Sequence, residues 1–216
     1  MAKTEQMNII PFAAMPIMQV QLNLDLEKLI DFTLQIHNKD KKGSPHSPGS
    51  NRGGWQSKDV TKENHEEFVR LKEKITHYSQ LYHSEIFQGI KFKTNVIQNI
   101  TNMWISIYEK HHYREWHIHG MSTLSGTYYI KHDSSAESGN ILFKHPNNHY
   151  MRLAHWPEGT LEIPNEVTSE IINVIPKSNV LIIFPSWLEH KVSANLKNDS
   201  RISLSFNTLP ILEKKS

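Results

Sequence analysis

The sequence predicts a mainly β protein, a sandwich or barrel with helices packed outside it. Three observations carry that reading. After Phe87, short runs rich in Val, Ile, Phe, Tyr and Thr follow one another, separated by turn residues. Two of these runs, NMWISIYE and RISLSFNTL, alternate apolar and polar residues as a half-buried strand does. Helical spacing stands out in only two segments, both in the first half, so the later strands are not separated by the helices of βαβ units.

The elements follow in chain order. From about Leu24 to His37, Leu26, Leu29, Ile30 and Thr33 fall at helical spacing. In the second helix Asn64 and Glu67 have the spacing of a capping box, and Phe68, Leu71, Ile75, Tyr78 and Tyr82 form one apolar stripe that reads as core packing. Between the helices, DKKGSPHSPGSNRGGWQS, Asp40 to Ser57, is too rich in Gly, Pro and Ser for a helix or a central strand. It reads as a long loop whose end docks through Trp55. Strands are expected near residues 92–98, 102–109, 115–119, 124–131, 140–144, 171–175, 179–185, 189–194 and 200–208. The run VLIIF, Val180 to Phe184, is a buried strand and far too short to span a bilayer. Residues 145–170 break the rhythm and read as an insertion over one end.

Composition narrows the chemistry. The chain has 216 residues, 38% hydrophobic and 21% charged, which is ordinary for a globular protein. A net charge of +2 is too balanced to argue for nucleic acid or an anionic membrane. There is no cysteine, so disulfides, thiolate metal sites and a cysteine nucleophile are excluded, and any metal must be held by nitrogen and oxygen. MAKTEQMN carries no apolar segment of the signal-peptide kind, and a cytoplasmic location is expected.

Four histidines crowd into the stretch from His111 to His119. His117 and His119 are two apart, so on a strand they share one face and can reach one metal ion. Alone, such a pair is equally a bland surface feature. Downstream, His190 follows a buried strand and a turn built on Pro185. Eleven residues later Arg201 opens an alternating strand that puts Arg201, Ser203 and Ser205 on one face and Ile202, Leu204 and Phe206 on the other. A guanidinium with a hydroxyl two residues on suits a carboxylate.

The order H-x-H, distal histidine, then arginine resembles the 2-oxoglutarate- and iron(II)-dependent oxygenases, with His119 where those enzymes usually carry an acid. Tyr108-Glu109, nine residues before His117, resembles a Y-E segment of prolyl-hydroxylase-like members and makes His117 the first ligand in that alignment. HIHGMSTLSGTYYI, GNILFKHP and LIIFPSWLEHKVSAN with RISLSFN look like a group of these oxygenases common in phages and marine bacteria. The resemblance covers roughly residues 102–208. It implies a double-stranded β-helix, a cupin-like jelly-roll barrel, and eight of the expected strands lie from residue 102 onward. Residues 1–216 then read as a single oxygenase domain, with an N-terminal helical support over 1–100, carrying the loop 40–57, and a jelly-roll core over 101–209.

The resemblance further implies iron(II) at His117, His119 and His190, and 2-oxoglutarate paired with Arg201 and Ser203. Dioxygen is then the oxidant, 2-oxoglutarate goes to succinate and carbon dioxide, and a C–H bond of an unidentified substrate is hydroxylated. His119 either ligates or turns away to leave a two-histidine site completed by water, and Glu115 is the nearest substitute carboxylate. Tyr108 is expected near the co-substrate. Tyr128 and Tyr129 face opposite ways, and Tyr128 is the one expected to point inward because Gly126 and Ile130 leave room around it. Trp187 reads as packing under the site, His111 and His112 as strand-end surface, and His145, His149 and His155 as surface or substrate mouth. Two other functions fit the same residues: a non-catalytic jelly-roll module that binds metal or acid, and a three-histidine cupin-like dioxygenase that does not use 2-oxoglutarate. Substrate and oligomeric state are not legible.

Overall fold

The computed structural model describes residues 16–44, 50–86, 96–147, 162 and 168–212. Two antiparallel sheets face each other. The strands are β1 (Met18–Gln21), β2 (Asn51–Arg52), β3 (Trp55–Gln56), β4 (Val96–Tyr108), β5 (Tyr113–His117), β6 (Leu124–Lys131), β7 (Ile141–Lys144), β8 (Ile171–Val174), β9 (Val180–Pro185), β10 (His190–Val192) and β11 (Arg201–Leu212). The larger sheet has six strands in the order β1-β9-β6-β11-β4-β3, and the smaller has five in the order β2-β5-β10-β7-β8. This is a jelly roll with helices α1 (Leu26–Lys39) and α2 (Glu66–Leu81) outside it.

Alternation along β11 decides what each face does. Ile202, Leu204 and Phe206 turn towards the helices and join Met103, Ile105, Ile107, Leu124 and Ile130 in one core with Leu29, Phe32, Phe68, Leu71 and Ile75. Burying a side chain of this size stabilises by about 1.5–3 kcal/mol, so this core is what fixes the helices to the sheet. The apolar run of β9 is explained by burial on both sides. Leu181 and Ile183 belong to the helix-side core, whereas Val180, Ile182 and Phe184 pack between the sheets with Tyr129, Ile141, Phe143 and Leu188.

Several expectations are refined. The strands foreseen at 92–98 and 102–109 form one strand, β4, over its described part, because β11 pairs with it from Arg201↔Tyr108 to Leu212↔Val96 across one register shift between Asn207 and Thr208. The capping box at Asn64 is not made. His65 occupies the cap position without a side-chain hydrogen bond. Glu67 is buried instead, accepting from the Asp25 N–H at 3.1 Å and pairing with Arg70 at 2.5 Å. The end of the long loop does dock: Trp55 pairs with Ile107 in the sheet and donates its indole N–H to the Asp40 carbonyl at 3.0 Å. His149 and His155 lie outside the described residues, as does most of 145–170. Among the described residues no helix is long and apolar enough to cross a membrane.

Candidate active site

Between the two sheets lies a pocket of about 420 Å³, counting all the space between its walls and out into open solvent. Its floor is the inward face of the larger sheet: Trp104, Ser106 and Tyr108 of β4, Thr127 and Tyr129 of β6, and Arg201, Ser203 and Ser205 of β11. The smaller sheet supplies the histidines. β10 starts opposite the end of β5, so His190 pairs directly with His117. His119 follows two residues on, its backbone N–H donating to the Ser186 carbonyl at 2.9 Å. The three rings gather, with centroids 4.2 Å apart for His117 and His190, 5.2 Å for His117 and His119, and 5.1 Å for His119 and His190. One ring nitrogen from each lies within 4.8 Å of the others.

Hydrogen bonds set the tautomers. His117 Nδ1 lies 2.8 Å from the Glu115 carbonyl and His190 Nδ1 lies 2.8 Å from the Leu188 carbonyl. A carbonyl only accepts, so Nδ1 carries the proton and Nε2 keeps its lone pair. His119 Nδ1 faces Asn207 Oδ1 at 2.7 Å. That amide is oriented by donating to Asn102 Oδ1 at 2.9 Å, and Ser125 Oγ completes the group 2.9 Å from His119 Nδ1. Such outer partners hold metal-ligating imidazoles in place. Burial keeps the rings neutral. It lowers His117 to about 3, with the Arg114 charge adding to the effect, and depresses His119 in the same direction. His190 is pushed well down by burial and then by its two histidine neighbours. Three neutral imidazoles with oriented, free Nε2 atoms fit a divalent ion.

Arg201 fits an anion. It is 4% exposed, donates from Nη1 to Ser203 Oγ at 3.2 Å, and leaves its Nε without a partner. The guanidinium lies between two aromatic faces, 5.5 Å from the Tyr108 ring and 5.0 Å from the Tyr129 ring. Among the described residues no Asp or Glu lines the pocket. Three further buried polar atoms facing it, Trp104 Nε1, Thr127 Oγ1 and the Tyr129 hydroxyl, also lack partners. A cavity lined with unsatisfied donors and free of acids calls for a ligand rich in acceptor oxygens.

The expected residues His117, His119, His190, Arg201, Ser203 and Tyr108 are thus brought to one cavity. Tyr128 is a correction. It faces the helix-side core and donates to Asn179 Oδ1 at 2.5 Å, while Tyr129 lines the pocket, because β6 turns its even-numbered residues to the helices as β11 does. Glu115 points outward and pairs with Arg52 at 3.8 Å, both half-exposed. Trp187 does not pack under the site. It is half-exposed at the rim with Ile118 and His145, and Leu188 takes the buried place. His111 and His112 stay in the turn before β5, where His112 Nδ1 accepts from the Glu109 N–H at 3.1 Å.

Sequence reading missed Arg114. Strict alternation sets it opposite His117, but the pairing runs His190↔His117 and then Val192↔Arg114, which leaves an extra residue in β5. That bulge turns Glu115 and Trp116 outward and Arg114 inward. Asn207 was missed too, although alternation continued from Arg201 would have reached it.

The jelly roll encloses a three-histidine group and a buried arginine, and it is similar to a class of enzymes, the 2-oxoglutarate-dependent iron(II) oxygenases. Residues 102–207, a segment just short of half the chain, match the family model described as "Putative 2OG-Fe(II) oxygenase". The enzymes of the class use iron(II), 2-oxoglutarate and dioxygen. Solved structures agree in fold. A Pseudomonas putida prolyl-4-hydroxylase matches with TM-score 0.59 at 13% identity, covering 90% of this chain and 94% of its own. The viral collagen prolyl hydroxylase of Paramecium bursaria Chlorella virus-1, a 2-oxoglutarate complex, matches with TM-score 0.56 at 13% identity, over 89% and 94%. HygX from Streptomyces hygroscopicus, with nickel and 2-oxoglutarate bound, matches with TM-score 0.56 at 12% identity, over 90% and 82%. No protein of curated function matches the sequence.

Proposed function

We propose that this protein hydroxylates a C–H bond of a substrate admitted at the rim formed by Ile118, His145 and Trp187, with iron(II) held by His117, His119 and His190. The observation that carries the reading is Arg201, a buried guanidinium without a carboxylate among the described residues, in the same acid-free cavity as the three histidines. Iron(II), 2-oxoglutarate and dioxygen together supply the oxidising chemistry, with succinate and carbon dioxide as by-products. The chain's own residues bind, orient and exclude water. Arg201 and Ser203 grip the far carboxylate of 2-oxoglutarate as a fork and a hydroxyl. The rings of Tyr108 and Tyr129 sandwich the guanidinium and keep water from it. Asn207 and Ser125 hold His119 in the ligating tautomer, the place taken by a carboxylate in most such sites.

The test is 2-oxoglutarate binding and succinate formation with iron(II). Arg201→Ala should weaken 2-oxoglutarate binding by about 10- to 100-fold, the worth of a lost charge-assisted pair. Unchanged substrate turnover in that variant would instead indicate the three-histidine chemistry that does without 2-oxoglutarate. No succinate from the wild-type protein with any candidate substrate would sink the proposal.

A further inference from the structure

We propose that Arg114 forms a second anion site in the same pocket, and that it binds a carboxylate group of the primary substrate. The inference rests on the assignment of 2-oxoglutarate to Arg201. Arg114 is 8% exposed and lines the cavity, yet its side-chain partners are all neutral: Nε donates to Ser50 Oγ at 3.3 Å and Nη2 to Gln56 Oε1 at 3.2 Å. No carboxylate pairs with it among the described residues. A buried charge in that condition is expensive to keep unless a ligand completes it.

Its placement is built. The β5 bulge turns Arg114 into the pocket, and two residues of the 50–57 segment hold the guanidinium by one edge. A guanidinium has five N–H donors. The hydrogen bonds to Ser50 and Gln56 use one at Nε and one at Nη2. Both Nη1 donors and one Nη2 donor remain, enough to bind a carboxylate through both of its oxygens.

Charge balance points the same way. Among the described residues the pocket lining holds Arg114 and Arg201 and no acid. With three neutral imidazoles on a divalent ion, two guanidinium charges and the metal face only the dianion 2-oxoglutarate. Two positive charges are left over. The metal and Arg201 account for both carboxylates of 2-oxoglutarate, whereas Arg114 reaches in from the smaller sheet beside His117. An anionic substrate relieves the excess, and its carboxylate on Arg114 fixes which carbon faces the metal site.

The test uses whole protein loaded anaerobically with iron(II) and 2-oxoglutarate, probed with phenylacetate and acetate and with their neutral amides. Binding is read by titration calorimetry and thermal shift. The carboxylates should bind saturably and the amides should not, a comparison that needs no variant. Arg114→Gln should weaken phenylacetate by about 10-fold or more while leaving 2-oxoglutarate affinity within a few-fold. Arg114→Lys should fall between the two. Equal binding of acid and amide, or no binding of either, would overturn the proposal. So would an Arg114→Gln variant that loses 2-oxoglutarate as Arg201→Ala does, since Arg114 would then serve the co-substrate. If the wild type failed to bind 2-oxoglutarate at all, the functional reading would fall, and carboxylate binding to the iron-loaded protein would still report on Arg114.

Discussion

His117 and His190 each present a free Nε2 because a backbone carbonyl accepts the Nδ1 proton, and besides His119 no other histidine among the described residues joins their cluster. His117→Ala and His190→Ala should therefore abolish iron(II) binding in an anaerobic titration. His111→Ala and His112→Ala should leave it nearly unchanged, because both occupy the turn outside the pocket. His119→Asp should keep iron bound, exchanging the third imidazole for a carboxylate. Asn207→Ala removes the acceptor that orients His119 and should weaken iron by about 10- to 100-fold without unfolding the protein. Loss of iron in His112→Ala as complete as in His117→Ala would show that the wrong histidines have been assigned.

The helices and the 50–57 segment act on the site from outside it. Leu71 is fully buried between α2 and the back of the larger sheet. Leu71→Ala should cost about 2–5 kcal/mol in urea unfolding, with 2-oxoglutarate affinity of the folded protein unaltered. Gly54 is closer to the chemistry. A Cβ there would lie 2.3 Å from the Tyr108 ring, whose hydroxyl donates to Asn51 at 2.8 Å. Gly54→Ala should displace Tyr108 from its place against Arg201 and weaken 2-oxoglutarate several-fold in the same titration. An unchanged affinity would mean that the Tyr108 ring contributes nothing to the clamp.

For the molecule as a whole, the buried imidazoles link stability to pH. In the unfolded chain they take up protons near their ordinary 6.5, whereas in the folded metal-free protein His117 resists protonation down to about 3. Between those values the unfolded state binds more protons, so stability is full above about pH 6.5 and falls as the pH drops towards 3. His132, lowered to about 4 by burial and then by Arg201, adds a term of the same sign. The melting temperature of metal-free protein should accordingly be lower at pH 5 than at pH 8. A flat profile would contradict the burial of these rings. Saturating iron(II) and 2-oxoglutarate should raise stability at neutral pH, by about 2.7 kcal/mol for a ligand at 100 times its dissociation constant.

What the sequence determined by itself was whatever depends on local periodicity. The alternation of RISLSFNTL separated Arg201 and Ser203 from Ile202, Leu204 and Phe206, and the structure keeps that division. The two-residue step from His117 to His119 put both on one side, and Phe68, Leu71 and Ile75 of the helical stripe became the buried face of α2, with Tyr82 buried just past its end. Tertiary structure decided the rest, where period gives no answer. Tyr128 and Tyr129 are equivalent in type, and only the packing of helices against one face of β6 chose between them. Arg114 faces inward because β10 pairs with β5 across a bulge, a misfit between two strands far apart in the chain that neither strand encodes alone. Glu67 left its cap for a partner 42 residues away, the Asp25 N–H, because a carboxylate beside a packed helix is satisfied by whatever donor the core brings to it.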